Sequence, residues 1–476
     1  MGIRSDQRLY LYSRAAEESF QNKRLSRNKC FCNIGCLWKV IKVFLTVLLV
    51  LVCSIGSYFL WSSTPESADP TFDFQPQTSE PWREEEIEEI LTQIPQVTQV
   101  SCNRFLSPPK EWSKKEEKLS KIVPRVETAS TAYGDCTKIT STWVEIPVSK
   151  FERGQPIAFS IMVYNDLDRF ARLLRAIYRT SNVYCVHVDN KSLTEFQKNV
   201  SQIASCFQNV FVTKQPVLYE KSSVLEQEMV CLQELWSKKV PWNWVINLSE
   251  EEFPLKTNLE IVHILNIMHD FNDIWVDPCT EHGSNSEWIG CQLSTLGRFT
   301  ERWKSSPLPP FYAQPYKGQV HVVLTRAMVN YILHNEDAKA IYEWSLKTEY
   351  SHEIFFSTLN ANAHLQAPGS NAVILEHPLK KKPSLARLRL LKRHDAEWPY
   401  CTYYLRDECL LSPRELPLLT TSWQLFANKF KPYHRPMGYA CLEEWYFTKV
   451  VQELSEGKVQ LDLRLYHKIY YQHLGI

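Results

Sequence analysis

The stretch Tyr184-Cys-Val-His-Val-Asp-Asn-Lys-Ser192 delivers Asp189 to the end of a run of β-forming residues, with Lys191 two positions later. In an open α/β sheet, ligands sit beyond the carboxyl ends of the strands. A carboxylate and an amine at such a place are therefore candidate ligand contacts. Two carboxylates at this spacing would begin a cage for a divalent ion. Here an amine replaces the second, and one carboxylate is a poor cage. Asp189 suits hydrogen bonds from ligand hydroxyls instead. A second acid, Glu353 in "TEYSHEIFFSTL", precedes the apolar run Ile354–Phe356. Held against a packed element, such a carboxylate can acquire a raised pKa and serve as a base. A Glu at a helix start also serves as a dipole partner or cap.

The elements that must position these groups alternate. Strands are predicted at 156–165, 184–188, 209–213 and 243–249, with helices at 166–179, 193–207 and 223–236 between them. In the first helix Leu167, Phe170, Leu174 and Ile177 recur at helical spacing with polar residues between. Strand and helix in repeated succession imply a doubly wound, mostly parallel sheet with right-handed crossovers. No G-x-G-x-x-G or G-x-x-x-x-G-K follows a strand, which argues against a standard dinucleotide or P-loop site.

The chain of 476 residues carries 54 Lys+Arg against 53 Asp+Glu. So balanced a charge gives no global field and no case for nucleic-acid binding. The distribution is uneven, however. Residues 1–42 carry nine Lys/Arg and precede the nineteen uncharged residues Val43–Trp61. As a helix these would span about 28 Å, enough for a hydrocarbon core. Basic residues before the span and acidic ones after it put the N-terminus in the cytosol. The expected organisation is a cytoplasmic tail (1–42), a transmembrane signal-anchor (43–61), a lumenal stem (62–120) and a catalytic domain (121–476). Residues 62–100, rich in Pro, Ser and Glu, read as extended, with the acidic run Glu84–Glu89 solvated.

Ten of the fourteen cysteines lie beyond the span. An even number in an oxidising compartment suggests five disulfides. No C-x-x-C pair occurs, so a zinc site is not expected. Asn-x-Ser sequons occur at Asn190, Asn199 and Asn247. Asn247 sits in a strand-like run and Asn190 beside the ligand site, so Asn199 is the expected glycosylation site.

The blocks "LLRAIY", "YCVHVD", "IASCFQNVFV", "INLSEEEFPLKTNLEIV", "VVLTR" and "LFANKF" closely resemble the β-1,6-N-acetylglucosaminyltransferases that build core-2 and I-type branches. The resemblance runs from about Cys102 to Cys441. It implies a glycosyltransferase-A fold in a type II Golgi membrane protein. The implied reaction is inverting transfer of N-acetylglucosamine from UDP-N-acetylglucosamine to O6 of a galactose or N-acetylgalactosamine, on an O-glycan or polylactosamine chain. It implies no metal cofactor. The matching donor contacts are Met162, Asp189, Lys191 and Tyr219, and Arg406 and Lys429 meet the diphosphate. Aligned on Thr358, Glu353 falls on the family's general base. The implied disulfides are Cys102–Cys441, Cys136–Cys206, Cys185–Cys231 and Cys401–Cys409, which leaves Cys279 and Cys291 to pair. Partners are then a sugar nucleotide and a glycoprotein glycan. Whether the stem forms a homodimer stays open.

Departures from the family pattern are plain. Ser351, His352 and Phe356 stand where the family has Pro, Asp and Trp. Glu250 replaces a Gly, "YEKSSV" (219–224) differs, and 273–303 lacks the family's acceptor-holding charges. The basic run "KKKPSLARLRLLKR" (380–393) reads either as a solvated helix face or as a preference for an acidic acceptor. Two alternatives follow: an inactive lumenal paralogue with a glycan-binding role, or a transferase using another donor, as the related UDP-xylose enzymes do.

Overall fold

The computed structural model describes residues 82–107, 112–124, 135–141, 143, 145–213, 224–238, 240–277, 309–348, 351–370, 384–392, 401–431 and 433–474. The expected span at 43–61, Tyr219, Cys279, Cys291 and most of the divergent stretch 273–303 lie outside them. No helix among the described residues is long and apolar enough to cross a membrane.

The alternating pattern forms the strands β1 (Ile157–Val163), β2 (Val183–Val188), β3 (Val210–Val212) and β4 (Trp244–Ser249). The short β5 (Glu252–Pro254) follows, then β6 (Asp273–Asp277) and β7 (Lys317–Thr325). The central sheet has the order β3-β2-β1-β4-β7-β6. β3, β2, β1 and β4 run parallel, and β7 is antiparallel to both β4 and β6. The result is a mixed, parallel-rich sheet flanked by helices, as the alternation implies. Side chains alternate across it: Ile157, Phe159, Ile161 and Val163 enter one core layer and Ala158 the other. The helices Leu167–Ile177, Thr194–Ser205 and Asn258–Met268 cover the first face. Val224–Ser237, Arg326–His334 and Ser351–Ala361 cover the second.

A second, smaller layer joins three distant pieces of chain. β8 (Arg387–Leu388), the hairpin of β9 (Tyr404–Leu405) and β10 (Glu408–Cys409), and β11 (Phe426–Asn428) lie beside the helix Met437–Glu456. β11 sits between β5 and β8. The interface between the two layers is charged. Arg169, Arg172 and Arg175 of the first helix are buried rather than solvated. Arg172 and Arg175 each reach the fully buried Glu443 at 2.6 Å, and the Tyr439 ring lies under Arg169 and Arg172. Removing one partner of such a buried pair typically costs about 3–5 kcal/mol.

The stem expectation needs correcting from Trp82 onward. Residues 84–93 form a helix whose Ile90 is buried in the same core layer as the 437–456 helix. Trp82 N–H donates to Leu454 O, and Val97 N–H to the Glu444 carboxylate at 2.7 Å. Composition hid this because few apolar residues (Trp82, Ile90, Val100, Phe105) make the contact, while Glu84, Glu85, Glu88 and Glu89 remain exposed as expected. Disulfides then fix the layers. Cys102–Cys441 joins this segment to the long helix, Cys185–Cys231 joins β2 to its covering helix, and Cys136–Cys206 and Cys401–Cys409 also form.

Candidate active site

β1, β2 and β4 end together, with Val163 opposite Val188 and Met162 opposite Ser249. The first residue past β2 is Asp189, whose N–H donates to Val163 O at 2.9 Å. Its carboxylate accepts from Lys191 N–H at 2.8 Å, a short Asx-type turn. That turn orients the acid while Lys191 stays exposed. Met162 is half-buried on the neighbouring strand.

The chain runs outward from β1 toward β2 on one side and β4 on the other. The gap between β1 and β4 is therefore the topological switch point, where open sheets place ligands. Glu250 occupies it. Its buried carboxylate accepts from the backbone N–H groups of Tyr164 (2.6 Å), Asn165 (3.0 Å) and Asp166 (3.3 Å). Burial pushes this carboxyl above its usual range, and the N–H donors oppose the rise. Glu251 pairs with Lys431, and Glu252 turns inward with no exposure.

Two carboxylates, Glu252 and Glu408, organise the cations nearby. Glu252 takes Arg387 Nε at 3.0 Å, His321 Nδ1 at 3.2 Å and the Asn428 amide at 2.8 Å. Burial first, then Arg387, Arg389, Lys429 and His352, hold His321 well below its usual range. It is therefore a neutral donor to Glu252 rather than an ion-pair partner. Glu408 takes Arg389 Nε at 2.6 Å through one oxygen and Lys429 Nζ at 3.0 Å through the other. Burial alone would raise the Glu408 carboxyl, but these two cations bring it below its usual range.

Arg406 stands on the same hairpin as Glu408. The two-residue turn Arg406-Asp407 has positive φ at both positions (52° and 64°), the backbone a tight hairpin demands. The Cys401–Cys409 disulfide braces the hairpin, and Arg406 is exposed at its tip. Lys429 directly follows β11, and its carbonyl accepts from Leu411 N–H at 3.0 Å. Lys429 thus pairs with Glu408 on the hairpin whose turn carries Arg406, which joins the two chain segments.

Glu353 lies in the first turn of the helix Ser351–Ala361. Ile354, Phe355 and Phe356 are buried beneath it. Thr358 Oγ1 accepts from Tyr316 N–H at 3.1 Å, which keys the helix to the lead into β7. Lys317 Nζ, at the start of β7, is 3.5 Å from Glu353 Oε2, and both side chains are partly open to solvent. His352 is one of the groups that hold His321 below its usual range, which ties the base candidate's helix to the cation group.

Sequence reading missed Arg387, Arg389, His321 and Glu408. "LARLRL" is not a solvated helix face: Arg387 is buried on β8 and Leu385, Leu388 and Leu390 are core residues. The alternation in that hexapeptide was the available signal. Asn247 is held in β4 by Val320 O and Val322 N–H, whereas Asn199 is half-buried on the helix Thr194–Ser205.

A family model described as core-2/I-branching enzyme matches residues 157–416. A β-1,3-galactosyl-O-glycosyl-glycoprotein β-1,6-N-acetylglucosaminyltransferase of Bos taurus is 31% identical over 332 residues, 68% of this chain and 77% of the relative. The similarly named Homo sapiens protein is 30% identical over 332 residues, 67% and 77% of the two chains. An N-acetyllactosaminide β-1,6-N-acetylglucosaminyl-transferase of Mus musculus is 33% identical over 324 residues, 65% and 77%.

Proposed function

We propose that this chain, which belongs to the core-2/I-branching enzyme family, transfers N-acetylglucosamine from UDP-N-acetylglucosamine in β-1,6 linkage. The acceptor is a galactose or N-acetylgalactosamine of an O-glycan or polylactosamine chain. The sheet, with its parallel strands ending at one ligand edge, suits the glycosyltransferase-A fold. The observation that carries the reading is the conjunction at that edge: a solvent-accessible carboxylate on a helix start, and cations gathered around Glu408.

An inverting transfer needs a base for the acceptor hydroxyl and positive charge for the departing diphosphate. Glu353 is the base: its carboxylate takes the O6 proton as that oxygen attacks the anomeric carbon and the bond to UDP breaks. Arg406 and Lys429 take up the charge growing on the leaving group, the Arg as a fork and the Lys as a point charge. Asp189 accepts from nucleotide hydroxyls, and Met162, Lys191 and Tyr219 line the donor. With an amine at Lys191 and cations around the leaving group, the reaction runs without a metal. The same reading makes this a single-pass type II Golgi membrane protein anchored by 43–61, glycosylated at Asn199, with Cys279–Cys291 closing the divergent acceptor loop.

Two observations favour a second reading, a glycan-binding member that has lost catalysis. Glu250 fills the backbone site at the switch point, and His352 neighbours the base. Hydrolysis of UDP-N-acetylglucosamine by the full chain in detergent tests both readings. Slow release of UDP supports the enzyme, and no release from protein that binds UDP supports the second reading.

A further inference from the structure

We propose that Arg389 is a third diphosphate-binding cation, set beside Lys429 by Glu408. The inference rests on the donor assignment above. Three segments converge here. β8 and β11 run parallel, with Leu388 opposite Ala427, so Arg389 stands level with Asn428, next to Lys429. The hairpin then adds a strand on the far side: Leu391 pairs with Glu408, and Cys409 N–H donates to Leu390 O at 2.9 Å. Arg389 therefore projects between the strand that ends at Lys429 and the hairpin that carries Arg406.

Accessibility separates the two arginines of "LARLRL". The Arg387 side chain has no exposure and is spent on Glu252 and on the carbonyls of Asn247 and Ala386. It is a structural ion. Arg389 retains 23% exposure and Lys429 15%, while the Glu408 between them retains 8%. The carboxylate is at the base and the two cations face outward. Without it, two like charges at this spacing would repel one another apart.

Charge points to the ligand. Glu252 neutralises Arg387, and His321 is held uncharged. Glu408 offsets one of Arg389 and Lys429, which leaves one positive charge; at the hairpin turn Arg406 and Lys392, whose N–H donates to Asp407 O, outweigh the Asp407 carboxylate and add a second. That excess suits a diphosphate. It does not suit a neutral sugar or the nucleoside. Arg389 has one N–H directed at Glu408 and four further guanidinium N–H groups, enough for a forked contact with a phosphate oxygen pair.

The test compares UDP with uridine, which shares the base and ribose but lacks phosphate. Dissociation constants are measured calorimetrically on the full chain in detergent, for wild type, Arg389→Ala, Arg389→Lys and Glu408→Gln. The inference predicts that Arg389→Ala weakens UDP roughly 10- to 100-fold, the scale of a charged hydrogen bond, and leaves uridine unchanged. Arg389→Lys should recover part of the loss, because a point charge still reaches the phosphate, and it also serves if the Ala variant does not fold. Glu408→Gln should weaken UDP selectively as both cations lose their shared anchor. A merely structural Arg389 would lower the unfolding temperature and leave the UDP-to-uridine ratio at the wild-type value, which overturns the inference. Wild type that binds no UDP overturns the donor assignment itself, and this inference with it.

Discussion

Replacing Glu353 by Gln separates a catalytic carboxylate from a helix-terminal ornament, because the two roles differ in magnitude. As a structural group, Glu353 makes one ion pair among the described residues, with Lys317 at 3.5 Å, and both side chains are a quarter to a third exposed. Pairs so placed contribute about 0.2–1 kcal/mol, and a favourable charge at a helix N-terminus adds about 0.3–1 kcal/mol. For a domain this large, about 1 kcal/mol moves the unfolding temperature by only about 2–4 °C. The amide keeps the shape over the buried Ile354 and Phe356, so the fold persists. As a base, the carboxylate is worth about 10²- to 10⁴-fold in rate, or about 2.7–5.5 kcal/mol of barrier. UDP affinity should stay at the wild-type value, because the cations around Glu408 are untouched. The assay is steady-state transfer with donor and acceptor both saturating, beside calorimetric UDP binding and thermal unfolding. A Gln variant with wild-type kcat refutes the assignment. A variant losing UDP affinity in proportion to rate refutes the separation of base from donor site.

Three further outcomes follow from other parts of the site. Glu250→Gly leaves the N–H groups of Tyr164, Asn165 and Asp166 without their acceptor. Thermal unfolding should show a loss of about 1–3 kcal/mol and kinetics a raised donor KM; wild-type values of both would show that the contact is idle. Burial and the nearby Glu260 push Glu453 up to about 8 from its ordinary 4.5. The fold thus favours its protonated form, so that advantage is complete below pH 4.5 and is lost as pH rises toward 8. Glu453→Gln should accordingly raise the unfolding temperature more at pH 8 than at pH 5, and an equal shift at both would contradict the assignment. Transfer should persist in excess EDTA, since Asp189 stands beside an amine; loss of activity restored by Mn²⁺ would contradict the metal-free reading.

The parallel strands and their helices were legible because β1, β2 and β4 are buried on both faces and read as continuous apolar runs between helical patterns. The ends of those strands were legible too, which is why Asp189 could be named. What sequence could not convey is which charge meets which across long separations. The Arg172–Glu443 and Arg389–Glu408 pairs join chain segments that no local pattern links. The three arginines on the 167–177 helix showed in sequence only as polar residues between apolar ones, and the fold sets them against Glu443 and Tyr439. Glu250 was visible as a departure, but its three N–H partners come from the segment that leaves the carboxyl end of β1, distant in sequence, and only the fold supplies them. Trp82–Phe105 read as stem because scattered apolar residues, two hydrogen bonds and one disulfide carry the contact, with no periodic pattern.

The central claim is branching transfer by this particular site, and product analysis tests it most directly. The full chain in detergent is incubated with UDP-N-acetylglucosamine and acceptors bearing a β-1,3-galactosyl O-glycan or an N-acetyllactosamine chain, and the product linkage is read by NMR. The account predicts a new N-acetylglucosamine in β-1,6 linkage, formed by wild type and lost in Glu353→Gln. A product in another linkage, or no product from folded protein that binds UDP, would contradict it.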